Sequence, residues 1–158
     1  MESVQSAVKT ACLLRPFPDD PRMVKISGEY QGNLHCRAVH GPSGGVLFTS
    51  APVDVGGTGD AFSPTDLMAT ALATCIATTL ANAARKQGVE LRGIRWEVVK
   101  EMSADTPRRI ARLPLSFALP VKQTPDLAAL LDEVIKTCPV HQSLHPSIEV
   151  PVTIVWAR

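Results

Sequence analysis

Apolar and polar residues alternate with a period of two in several stretches of the chain and follow a helical period in two others. Residues 23–30, MVKISGEY, alternate as a strand does, and the QGN that follows has the chemistry to reverse the chain into LHCRAV. HGPSGG at 40–45 reads as a second turn leading into VLFT, so the first third predicts a short antiparallel meander. The glycine-rich APVDVGGTGDAF, 51–62, has little to bury and reads as a loop. A helix signal follows. Ser63 can cap, Pro64 suits the first helical position, and Asp66 complements the positive end of the dipole. Arg85 and Lys86 in a last turn, with Gly88 after it, mark the stop. The predicted helix has roughly two dozen residues and a length of about 36 Å. Small and apolar residues cover nearly its whole circumference, which predicts a central helix packed on several sides.

Beyond VELRG, IRWEVVK alternates, and RIARLPLSFALP does so again through Ile110, Leu113, Leu115, Phe117 and Leu119, predicting a second antiparallel pair with a bulge or an edge at Pro114. Thr124 and Pro125 repeat the cap-plus-proline device. Leu127, Leu130, Leu131, Val134 and Ile135 then form the apolar stripe of a second helix that stops near Thr137, ahead of Pro139. CPVHQSL suits a short turn, and IEVPVTIVW a final strand. These elements predict an N-terminal arm over residues 1–22 and a single α+β domain over residues 23–158.

Composition narrows the functional classes. At 158 residues the chain fits one domain with one sizeable core. Sixteen basic and fifteen acidic side chains leave a net charge of +1, and their scatter gives no field that would draw nucleic acid or an anionic membrane. The N-terminal stretch has no basic start and meets Pro16, Pro18 and Pro21 before any continuous apolar block, so it does not read as an export signal. A cytoplasmic location is expected, where Cys12, Cys36, Cys75 and Cys138 stay thiols. The uncharged run from Leu67 to Ala84 approaches the length of a membrane span, but Ala and Thr dominate it and suit a protein interior better than lipid.

Two thiols lie where chemistry is possible. Cys138 precedes a proline between the second helix and a short turn, where free backbone N–H groups favour a thiolate. Cys75 lies twelve residues beyond Ser63, too deep in its helix for the terminal partial charge to reach it. In an apolar helix it is inert packing unless a cation is brought to it from elsewhere in the fold. Cys138, His141 and His145 also form a C-x2-H-x3-H set that could hold zinc together with Cys75. It has no second tight pair, and Pro146 disturbs the helical spacing of its histidines, which read more simply as polar residues of a surface turn.

From about Gly32 to Trp156 the chain resembles the OsmC/Ohr family, named for osmotically induced protein C and organic hydroperoxide resistance protein. The likeness rests on P-x3-GG-x-G at Pro52–Gly59, S-P-x-x-L at Ser63–Leu67, Cys75 at the family spacing, and CPVHQSL at 138–144. It implies an α+β fold with antiparallel sheets wrapped around two main helices, the central one long and buried, in an intertwined homodimer with active sites at the subunit interface. It further implies a thiol peroxidase for organic hydroperoxides with no cofactor, in which Cys75 is peroxidatic, Cys138 resolves it as a disulfide, and an external dithiol restores the pair. The family arginine that holds the thiolate falls nearest Arg37, with Arg108 and Arg109 as alternatives. The glutamate that fixes that arginine is replaced by Thr65, and Asp66, rotated by about 100° on the helix, reads as helix-start charge. That departure keeps open a non-enzymatic relative that binds an apolar ligand or senses oxidants. Cys36 reads as a strand residue and Cys12 as part of the arm.

Overall fold

The computed structural model describes residues 20–158, so Cys12 and all but the end of the expected arm lie outside the described residues. Three strands come first: β1 (Ile26–Gly32), β2 (His35–His40) and β3 (Val46–Ser50), paired antiparallel in chain order. The first reversal sits at Asn33 and Leu34, one residue later than QGN suggests, with φ of 49° and 61°. Asn tolerates this left-handed geometry and Leu rarely adopts it. Leu34 is held there by its N–H donating to Tyr30 Oη at 3.2 Å and its carbonyl accepting from Ala51 N at 3.1 Å.

The loop after β3 explains its glycines. A short 3-10 turn at Val53–Val55 is closed by Gly56 at φ 85°, and the backbone then folds back so tightly that a Cβ on Gly57 would lie 1.9 Å from the Ala51 carbonyl oxygen. Only glycine fits at that position. Helix α1 (Pro64–Lys86) begins with a complete capping box: Ser63 Oγ accepts from Asp66 N at 3.1 Å, and Asp66 Oδ2 accepts from Ser63 N at 2.8 Å.

The second sheet contains β4 (Arg95–Val98), β7 (Leu115–Leu119) and β8 (Val152–Trp156), in the order β4-β7-β8. Between β4 and β7 the same hairpin continues as the short pair β5 (Glu101–Met102) and β6 (Ile110–Arg112). Pro114 has no N–H to give the ladder, and the hairpin divides there, with Val99 N still donating to Pro114 O at 3.0 Å. Strand β8 runs parallel to β7, unlike the antiparallel pairings expected throughout. A parallel return needs a crossover. The crossover carries α2 (Pro125–Thr137), capped by Thr124 Oγ1 accepting from Leu127 N at 3.2 Å, and the short α3 (Pro139–Gln142).

The core lies between α1, α2 and the inner face of the second sheet, where Leu72, Ile76, Leu113 and Phe117 are fully buried. Each such side chain contributes about 1.5–3 kcal/mol relative to exposure. Helix α1 is long and apolar enough to cross a membrane by length and composition, yet it spends Leu72, Ile76, Leu80 and Ala84 on this core. One face of the helix remains open. Met68, Ala71, Thr78 and Asn82 form an exposed stripe at helical spacing, because the second sheet and α2 cover the opposite face and none of the described residues covers this one.

Candidate active site

Cys75 sits half-buried at the margin of the open stripe on α1, and Cys138 is wholly buried. The two are neighbours in space. The Cys75 thiol acts on Cys138 both as a hydrogen-bonding partner and through its charge. Local sequence places each sulfur. Thr74 and Thr78 turn their hydroxyls back to the carbonyls of Thr70 and Thr74 at 2.8 and 2.9 Å, so polar residues flank Cys75 without interrupting the helix. Cys138 both ends α2 and begins α3, with φ −56° and ψ 122°.

As the sequence suggests, free N–H groups at the start of α3 reach Cys138. Burial nevertheless dominates and pushes the Cys138 thiol above its usual range; the backbone N–H groups of His141 and Val140 oppose it, and the Cys75 sulfur reinforces it. Cys138 is therefore a neutral thiol near pH 7.

The candidate cations occupy other places. Arg37 stands at the middle of β2 in a cross-strand row with Glu29 on β1 and Phe48 on β3. Glu29, directly opposite Arg37 on one face of the sheet, is a carboxylate that the sequence reading passed over, although its i-to-partner register follows from the hairpin turn. The first sheet does not pack on α1 within the chain to any extent comparable with its own strand pairing, so Arg37 and Cys75 are not brought together by one chain. Arg108 donates to Asp54 at 2.5 Å and Arg109 to Asp105 at 2.6 Å, which commits both alternatives to surface ion pairs.

A second residue missed in the sequence is Lys100. Its ammonium donates to Asp66 Oδ1 at 2.5 Å, Thr65 Oγ1 at 3.0 Å and Ser63 Oγ at 3.3 Å. The position where the family resemblance leads one to expect a glutamate thus holds a threonine hydroxyl bound to a lysine. Burial raises the Asp66 carboxyl, but Lys100 and both groups of Ser63 outweigh it and hold the carboxyl below its ordinary range. Asp66 is nine residues before Cys75, half a turn around the helix and about 13 Å along its axis, so this cluster belongs to the helix start rather than to the thiols of the same chain.

The zinc arrangement does not assemble among the described residues, which contain no group of three or more potential ligands. His141 Nδ1 donates to the Ile135 carbonyl at 2.9 Å, closing the α2–α3 corner, and His145 pairs with Ser147 Oγ at 2.7 Å. Cys36 is exposed on β2 opposite Tyr30, as expected for a strand residue.

No curated protein matches this chain. Solved structures do. A Psychrobacter arcticus protein, proposed to be an osmotic-stress-induced and detoxification-response protein, is 36% identical with a TM-score of 0.78, over 88% of this chain and 99% of that one. An organic hydroperoxide resistance protein OsmC from Legionella pneumophila superposes with a TM-score of 0.70 at 16% identity, over 87% of this chain and 99% of that one. One from Elizabethkingia anophelis gives 0.70 at 14%, over 85% and 96%. The OsmC-like protein profile matches residues 57–153, which include the second half of the glycine loop, both helices and both neighbouring cysteines. The chain belongs to the OsmC-like protein family.

Proposed function

We propose that this protein is a homodimeric thiol peroxidase that reduces organic hydroperoxides in the cytoplasm. The observation that carries the reading is the adjacency of Cys75, half-buried beside the open stripe of α1, to Cys138, buried and neutral. The Cys75 thiolate attacks the distal peroxide oxygen, the O–O bond breaks, and the alkoxide takes a proton and leaves as an alcohol, so that Cys75 becomes a sulfenic acid. Cys138 then loses its proton and attacks the Cys75 sulfur. The hydroxide leaves as water and a disulfide forms. An external dithiol returns both thiols by exchange.

The partner in this reading is a second copy. The α1 stripe, through Met68 and Ala71, and the first sheet, which exposes Ile26 and Tyr30 on one face and Val46 and Phe48 on the other, offer apolar surface that the described residues leave uncovered. Arg37, remote from Cys75 of its own chain, would serve the thiolate across that interface. An apolar pocket closed around Cys75 at that interface favours bulky or fatty hydroperoxides over hydrogen peroxide.

Titrating the reduced protein with cumene hydroperoxide should consume two thiols per chain in the wild type and none in Cys75→Ser. Cys138→Ser should accumulate sulfenic acid without the disulfide, and Arg37→Ala should slow the first step. An unchanged wild-type thiol count removes the redox reading. The exchange of the family glutamate for Thr65 favours one other reading, a pocket that binds an apolar ligand without turnover. A steady-state assay with a dithiol separates the two, since a binder regenerates nothing.

A further inference from the structure

We propose that His35 and Asp60 form a proton-operated latch that fastens the β1–β2 turn to the glycine loop ahead of α1, closed while the imidazole carries both protons and open once it carries one. The geometry does not depend on the peroxidase reading. His35 Nδ1 lies 2.8 Å from the Asn33 carbonyl oxygen, and Nε2 lies 2.9 Å from Asp60 Oδ1. A carbonyl and a carboxylate oxygen only accept, so both ring nitrogens must donate, and the ring that satisfies both is the imidazolium. The same carboxylate oxygen takes the Thr58 hydroxyl at 2.6 Å, and Thr58 Oγ1 meets Ser50 Oγ at 3.0 Å. Ser50 is 1% exposed, so the chain of bonds runs from a partly exposed ring into the interior at the end of β3.

Asp60 is the charged group that acts on the imidazole; the other elements packed against His35 present Asn33 from the turn, Ser50 from β3 and Thr58 from the loop, none of them charged. Of the remaining charges of these elements, Glu29 and Arg37 lie opposite each other in register on β1 and β2, on the same face of the sheet as His35, and Asp54 pairs with Arg108. The Asp60 hydrogen bond, followed by that to Asn33, raises the ring above its ordinary 6.5, while Thr58, His35 and Ser50 hold the carboxyl far below the usual carboxylate range. Asp60 therefore stays ionised throughout the neutral range, and His35 is the member that switches. The latch is fully closed below 6.5 and opens as pH rises through the raised value of the ring.

On losing a proton the ring keeps one N–H, and its other nitrogen faces an oxygen at less than 3 Å with lone pair against lone pair. The charged bond to Asp60 is then lost, and among the described residues the turn and the loop are joined by the backbone bond from Ala51 N to Leu34 O and by the longer contact of His35 Nε2 with Thr58 Oγ1 at 3.3 Å. The freed segment is the connection between the first sheet and the Ser63 cap.

Titration of the folded chain by NMR tests this. The chain has four histidines, so the resonance lost in His35→Gln identifies the ring. The His35 midpoint should lie above those of ordinary histidines and fall in Asp60→Asn. Amide protection over residues 56–60, corrected for intrinsic exchange rates, should drop as pH rises through that midpoint, and in His35→Gln it should be low and free of this step. A midpoint at or below 6.5, or loop protection unchanged across the titration, overturns the latch.

Discussion

The two sheets of this molecule have three strands each and are surrounded differently. At the centre of the second sheet Phe117 is fully buried under α1, whereas in the first sheet Phe48 is 52% exposed. Both sheets alternate apolar and polar residues, so alternation identifies which side chains share a face and says nothing of what covers that face. The second sheet is covered by helices of the same chain. The first pairs its own strands, and among the described residues both of its faces stay open; in the proposed dimer a second copy would cover them and bring Arg37 to Cys75.

The sharpest test of that contrast is a pair of truncations. Phe117→Ala should cost about 3–5 kcal/mol of unfolding free energy by denaturant titration, the usual loss for a fully buried ring. Phe48→Ala should cost much less in dilute protein and show its loss mainly as a weaker dependence of stability on protein concentration. Equal losses at all concentrations would erase the distinction. Gly57→Ala comes next. Its Cβ has no room beside Ala51 O, so about 2 kcal/mol should be lost, with the disturbance confined to the loop by hydrogen exchange.

The smallest effect is expected at the start of α1. Lys100→Met should cost about 1 kcal/mol, since the lysine is well covered but Asp66 is partly solvated. The sign in pH follows from the depressed Asp66 carboxyl. Its contribution is present above the ordinary carboxylate value and disappears as pH falls through the lowered one, and Lys100→Met should flatten that acid-side decline. A mutant that keeps the wild-type acid profile would assign the lowering to Ser63 instead.

Short-range chemistry was legible in the sequence. The Ser63 box, Pro64, Thr124 with Pro125, and the break at Pro139 all act within a few residues, and the helices begin and end where those signals put them. Pro114 marked the interruption of the hairpin for the same local reason. Pairing choices over longer distances were not legible. Nothing in IEVPVTIVW distinguishes a parallel from an antiparallel neighbour, and the bond from Lys100 to Asp66 spans 34 residues. Periodicity likewise left open which face of α1 is covered by its own chain, because a circumference of small residues describes what a helix tolerates and not where its neighbours come from. The adjacency of Cys75 and Cys138 was reachable only through likeness to a family, since 63 residues separate them, from 75 to 138.

In the proposed cycle the double role of Cys138 would make its sulfur a mechanical as well as a chemical element. Because its backbone ends one helix and starts the next, and His141 ties that corner to the Ile135 carbonyl, a bond formed at this sulfur pulls on a hinge shared by two helices. The corner should therefore report the redox state of the thiol in its own geometry, as a change in the docking of α3 that a reductant could sense before it reaches the sulfur.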